Sequence, residues 1–229
     1  MPRLVVPTVF MTRPQKVSMS FVRDLRKVAG PFEPVICPAF EYVGTGADIP
    51  DFDIGVFTSK AGVQFAPDGA GRHAFCVGDA TARAALHSGY VAVSADGGAD
   101  NLVDLILSER PAGRLLHVRG ETSVGDVSGR LKASGLRVEE VVVYRKQIGD
   151  LTVLGKALKA IKSDFIIPLF SAETVSILVH SGSDFSSFHA VAISTAVAEA
   201  ATKLSPASIT VSAAPTQAEM VAAVSRLIA

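Results

Sequence analysis

The segment IGVFTSKAGVQFA at 54–66 decides the fold, because it returns as IIPLFSAETVSIL at 166–178. Each copy runs from a short apolar stretch through a hydroxyl-bearing step into a helical pattern, the sequence form of a strand feeding a helix. The likeness extends outward: VGDATARAAL at 77–86 resembles ISTAVAEAAT at 193–202, and NLVDLIL at 101–107 resembles EMVAAVS at 219–225. The remainder of the first copy, 115–144, has no partner downstream; its partner is 8–40, at the start of the chain. A repeat split this way predicts two similar lobes, one continuous and one assembled from both chain ends. The cleft expected between such lobes suits a small molecule. The expected lobes are 1–36 with 148–229, and 37–147.

Between these anchors, apolar runs alternate with helical patterns, which predicts α/β lobes with parallel sheets, each three-layered and flavodoxin-like. Strands are expected over 4–11, 33–38, 54–58, 74–77, 91–94, 114–118, 137–143, 164–169, 189–193 and 208–212. Helices are expected over 18–29, 60–65, 79–88, 100–109, 125–134, 152–161, 173–181, 196–204 and 216–228. Gly30 and Gly135 stand where the first and fifth helices should stop. Two extended crossings join the lobes: one flanked by Pro34 and Pro38, the other after Tyr144, where RKQIGD turns polar.

A chain of 229 residues, 48% hydrophobic and 19% charged, can bury two cores of ordinary composition. Twenty-two basic residues balance twenty-two acidic ones, so no global field recruits nucleic acid or an anionic membrane. No apolar run reaches the roughly 18 residues of a membrane span, and MPRLVVPTVF lacks a secretory cleavage pattern; the expected compartment is the cytoplasm. Cys37 and Cys76 are isolated and read as reduced thiols.

Ligands of open α/β sheets bind beyond the carboxyl ends of the strands, against helix N-termini. Four loops fit: Thr58–Ser59, Gly78 with Thr81, Ser171, and Ser194–Thr195. Each sets hydroxyls and backbone N–H groups at the positive end of a helix, a place for carboxylate or phosphate. The plainer reading is that they are N-caps. Arg13 and Arg119 (with Gly120 after it) follow the first strand of each half; each guanidinium suits a carboxylate, whether of a ligand or of a neighbouring acid. There is no phosphate loop, GxGxxG, GxSxG, HExxH or histidine cluster, so the expectation is an enzyme or binder using neither cofactor nor metal.

Taken in order, TRP at 12–14, VFTSKAGV at 56–63, VGDATARAALHSG at 77–89, HVRGE at 117–121, LKASGLRVEEVVVYR at 131–145 and FSAETV at 170–175 resemble the uroporphyrinogen-III synthase (HemD) family. The resemblance implies HemD-like lobes and a lyase of tetrapyrrole (haem, sirohaem, cobalamin) biosynthesis that acts on hydroxymethylbilane. It implies loss of water and ring closure with inversion of ring D through a spiro intermediate. Nothing in the sequence resembles a coiled coil or a long exposed apolar helix, so a monomer is expected, with hydroxymethylbilane synthase as a transient partner. Tyr144 matches the tyrosine proposed as the acid in this family. A free phenol, with pKa about 10, keeps its proton at neutral pH; the plainer reading is packing area in a strand. Val197 stands where the family commonly has a threonine in the second-lobe loop; Thr81 keeps the first-lobe one. The alternative from another class is a non-catalytic two-lobed binder or sensor of a small polycarboxylate.

Overall fold

The computed structural model describes residues 6–182 and 187–228. Residues 4 and 5 of the expected first strand lie outside them. The chain divides into two compact units, Tyr42–Lys146, and Met1–Glu41 with Gln147–Ala229.

The continuous unit is built on β3 (Phe40–Gly44), β4 (Ile54–Phe57), β5 (His73–Cys76), β6 (Val91–Ser94), β7 (Leu115–Gly120) and β8 (Val138–Ile148), in the sheet order β3-β8-β7-β4-β5-β6. The pairs β8-β7, β7-β4, β4-β5 and β5-β6 are all parallel. Buried on both faces, β4 and β5 read as near-continuous apolar runs, as central parallel strands do. The connecting helices are α2 (Lys60–Phe65), α3 (Asp79–His87), α4 (Ala99–Glu109) and α5 (Val127–Ala133). Side-chain alternation sends Ile54, Val56 and Leu115 to a core with Leu102, Ile106 and Leu131 of α4 and α5. Phe57, Leu116 and Val118 go to a second core with Val63, Ala82 and Ala85 of α2 and α3. Three layers result.

The other unit begins with β1 (Thr8–Met11), α1 (Gln15–Leu25) and β2 (Glu33–Ile36). It resumes as α6 (Leu151–Ala160), β9 (Phe165–Leu169), α7 (Ala172–His180), β10 (Phe188–Ala192), α8 (Thr195–Ala201), β11 (Ser208–Val211) and α9 (Gln217–Ile228). Its sheet order is β11-β10-β9-β1-β2, every pair parallel. Matched through the repeat (β9 to β4, β10 to β5, β11 to β6, β1 to β7, β2 to β8), this is the order of five strands of the continuous unit, whose sixth, β3, is an added edge strand. The split repeat is therefore a repeat of topology. One face of this sheet packs on α1 and α9 through Phe21, Leu25, Met220 and Val224.

Three local expectations are corrected. The strand β3 forms where no strand was expected, and β8 runs through Ile148 rather than stopping at 143. Its polar stretch Arg145–Gln147 stays in strand geometry because β3 and β8 bond each other, from Thr45 N–H to the Val143 carbonyl and from Gly149 N–H to the Ala39 carbonyl, each 3.0 Å. Helix α1 starts at Gln15 and ends at Leu25, short of Gly30. Turn bonds from Val28 N–H and Ala29 N–H to the Leu25 carbonyl close it, so no left-handed glycine is needed. Gly135 does adopt that conformation after α5, with φ +85°.

Candidate active site

The strand β4 delivers Thr58 and Ser59 to adjacent places, and alternation turns them to opposite faces of the sheet. Ser59 caps α2, its Oγ accepting from Gly62 N–H at 2.9 Å. The same Oγ lies 2.9 Å from the Tyr144 Oη. Tyr144 comes from β8, buried to 9% exposure, stacked on Phe65 with ring centroids 5.6 Å apart and edge-on to Tyr42 at 5.1 Å. Gly120 makes this approach possible: a Cβ there would sit 2.5 Å from the Tyr144 ring and 2.8 Å from its hydroxyl. The register irregularity between Arg119 and Gly120 sets Gly120 opposite Tyr144. Three sequence-nominated residues, Ser59, Gly120 and Tyr144, thus meet where β4 and β7 end beside the middle of β8, with Thr58 on the opposite face.

Thr58 points to the α5 face, its Oγ1 3.3 Å from the His117 Nε2. His117 is 1% exposed, and its Nδ1 lies 2.9 Å from the Ser128 Oγ on α5. Beside this group, Arg119 pairs with Glu140. Its Nη2 and Nε donate to the two Glu140 carboxylate oxygens at 2.9 and 3.2 Å, and its Nη1 to the Gly120 carbonyl at 3.0 Å. The guanidinium fork thus has its carboxylate within the protein. Hydrogen bonds, first from Arg119, hold Glu140 below the usual carboxylate range. Burial pulls His117 from 6.5 down to about 4; Glu140 opposes this and Arg119 adds to it. An open cavity of about 310 Å³ adjoins these residues, lined by His117, Arg119, Asp126 and Glu140 among others.

His117 reads from sequence as a core or edge residue, and Ser128 and Glu140 do not stand out. One signal was present. His117 and Arg119 are two apart in a strand and share a face, and Glu140 interrupts an apolar run on the neighbouring strand.

Elsewhere in the continuous unit, Gly78 caps α3, its carbonyl accepting from the N–H groups of Thr81 and Ala82. Thr81 is itself buried. In the other unit Ser171 caps α7, accepting from Thr174 N–H at 3.2 Å, with the two hydroxyls 2.9 Å apart. Ser194 caps α8 through Val197 N–H at 3.4 Å, and Thr195 is the first residue of that helix. Val197 is buried like Thr81, its counterpart, so packing accounts for an apolar side chain there. Arg13 lies over the Phe170 ring at 4.0 Å, and Thr12 beside it buries an Oγ1 with no hydrogen-bond partner among the described residues. No three His, Cys, Asp or Glu side chains gather as a metal site, and no helix is long and apolar enough to cross a membrane, among the described residues.

The fold resembles that of uroporphyrinogen-III synthetase from Helicobacter pylori, with a TM-score of 0.61 at 15% identity, over 97% of this chain and 100% of that one. It also resembles a mutant uroporphyrinogen III synthase from Thermus thermophilus, with a TM-score of 0.50 at 16% identity, over 96% and 98% of the two chains. At such identities the likeness is one of fold. No curated protein sequence matches. The family model described as Uroporphyrinogen-III synthase HemD matches residues 21–222, which takes in every site residue above except Thr12 and Arg13. With its two sheets, parallel but for the edge strand β3, and its split repeat, this chain belongs to the uroporphyrinogen-III synthase HemD family.

Proposed function

We propose that the protein is a uroporphyrinogen-III synthase, a hydro-lyase that closes hydroxymethylbilane to uroporphyrinogen III with inversion of ring D. The observation that carries this reading is the family match over residues 21–222, joined by the buried tyrosine hydroxyl that meets a capping serine. The C–O bond of the substrate's hydroxymethyl group breaks, its oxygen takes up a proton, and water leaves. The carbon left behind is a resonance-stabilised azafulvenium. Attack by the substituted carbon of ring D gives the spiro intermediate, and reopening followed by reclosure inverts that ring. The cation is intrinsically accessible, so positioning supplies much of the rate.

Tyr144 is the proton donor in this reading. Ser59 Oγ already accepts from Gly62 N–H, so its own proton is available to Tyr144 Oη. That leaves the phenol O–H to donate outward and gives the developing phenolate a hydrogen bond. Backbone N–H groups and hydroxyls at the ends of the strands (with Ser171, Ser194 and Thr195 in the split unit) serve the substrate's carboxylates. The enzyme works as a cytoplasmic monomer and meets hydroxymethylbilane synthase only transiently.

The test is to supply purified protein with hydroxymethylbilane and separate the oxidised products. Accelerated formation of the type III isomer supports the synthase. The spontaneous type I isomer alone would leave a polycarboxylate binder in its place.

A further inference from the structure

The helix α2 touches Tyr144 from both of its ends. Its cap, Ser59, meets the Oη at 2.9 Å. Its last residue, Phe65, stacks on the ring, with centroids 5.6 Å apart and planes 20° from parallel. Tyr42 meets the same ring edge-on, at 5.1 Å and 81°. Both arrangements are ones that aromatic pairs favour. The Gly120 backbone closes in at the phenol end, where a Cβ would stand 2.5 Å from Tyr144 Cζ. The hydroxyl is the far end of a side chain that swings about its Cα–Cβ bond. A small swing carries it out of the narrow distance range of a hydrogen bond. Ser59 holds that end at one atom only, so the place of the ring is set by what packs on it.

The repeat supplies an internal control. Ser171 stands where Ser59 does, and it caps α7 as Ser59 caps α2. All three tyrosines, Tyr42, Tyr90 and Tyr144, are in the continuous unit, so the split unit brings no phenol of its own to Ser171. The Ser171 hydroxyl lies 2.9 Å from the Thr174 Oγ1 instead. The position matching Phe65 is Ile177, which is buried, and Pro14 matches Gly120. An aliphatic side chain therefore satisfies the scaffold at this place. The flat ring and the glycine occur together only where a tyrosine has to be held.

We propose that Phe65 is a positioning residue for the proton donor, its stack on Tyr144 holding the ring so that Oη stays with Ser59. An aliphatic side chain fills similar volume but has no flat face to hold a ring plane. The role in turnover rests on the synthase reading above; the hold on the ring does not.

The test uses the full chain. Phe65→Ile copies the split unit, and Phe65→Tyr keeps a flat ring; Phe65→Leu stands in if Phe65→Ile does not unfold cooperatively in urea. With tyrosine labelled at ¹³Cζ, the deuterium isotope shift reads exchange of each phenolic proton, and Tyr144→Phe assigns one signal among three. The Tyr144 proton should exchange slowly in the unaltered protein and about two- to tenfold faster in Phe65→Ile, the range an aromatic stack is worth. In Phe65→Tyr it should stay near the unaltered rate. The free-tyrosine rate in the unaltered protein, an unchanged rate in Phe65→Ile, or equal acceleration in both variants overturns the hold. With hydroxymethylbilane, kcat for the type III isomer should fall about two- to tenfold in Phe65→Ile with KM kept. In a Tyr144→Phe background the same substitution should cost nothing further. An unchanged kcat, with or without a raised KM, overturns the role in turnover, and so does an equal fall in both backgrounds. If the unaltered protein makes no type III isomer, the synthase reading falls, and the exchange rates alone decide whether Phe65 holds the ring.

Discussion

At the scale of single residues, small groups decide what large ones do. Ser59 is both the cap of α2 and the partner of Tyr144, so its loss acts twice. Ser59→Ala should cost about 1 kcal/mol through the cap, measured by urea unfolding. In turnover, Tyr144→Phe should fall several-fold or more with folding intact. Combined with Ser59→Ala it should fall by less than the product of the two single effects, because both act on one hydrogen bond. Independent effects would separate the serine from the acid. Thr12 offers a contrasting case. Its buried Oγ1 has no partner among the described residues, and Val118 occupies the matching place in the other repeat. Thr12→Val keeps the shape and removes the unsatisfied hydroxyl, so stability should rise by about 1 kcal/mol. A loss of stability on thermal or urea unfolding would mean that the hydroxyl has a role in the native state.

At the scale of elements, the site depends on the ends of β4 and β7 being brought beside Tyr144 of β8, and at Gly120 the spacing leaves no room for a Cβ. Gly120→Ala puts a methyl group 2.5 Å from the Tyr144 ring, so either the ring or β7 must move. Overpacking of this kind costs about 1–3 kcal/mol. Activity should fall at least as far as in Tyr144→Phe, since the acid is displaced along with its serine. Wild-type turnover in Gly120→Ala would show that Tyr144 need not stand where it does. Most elements were legible because the periodicities of 2 and 3.6 are local and strong, as in β4 and α4. Gly135 was legible as a stop because the chain there needs φ > 0, whereas Gly30 follows a helix that closes by turn bonds. Strand β3 and the extension of β8 were not legible. Phe40–Gly44 and Arg145–Ile148 carry mixed polarity, and only their pairing, about a hundred residues apart in sequence, makes them strands. The candidate site divides in the same way. Thr58, Ser59 and Gly120 were visible from helix-start chemistry and from repetition, and Tyr144 from family resemblance. The His117–Ser128 and Arg119–Glu140 pairings were not, because their members come from three elements and meet only in the folded chain.

At the scale of the molecule, duplication provides two sheets that share the order of five strands, while the polar machinery is concentrated in one. Phe170, Met11 and Ile36 fill with apolar groups the places where the continuous unit has Thr58, His117 and Glu140. A buried neutral histidine links that difference to pH. The unfolded chain protonates His117 below about 6.5, whereas the folded chain resists until about 4. Stability from this group is therefore present above 6.5 and is lost as pH falls through the window, at about 1.4 kcal/mol per unit. Between pH 6.5 and 5 the protein should lose about 2 kcal/mol more than His117→Gln does, by urea unfolding at each pH. Parallel curves for the two proteins would place the imidazole in contact with solvent. The central claim is catalytic, and the isomer assay meets it most directly. Purified protein mixed with hydroxymethylbilane should give the type III isomer faster than the substrate cyclises on its own, and Tyr144→Phe should slow that formation. Type I isomer alone, formed at the uncatalysed rate, would contradict the account.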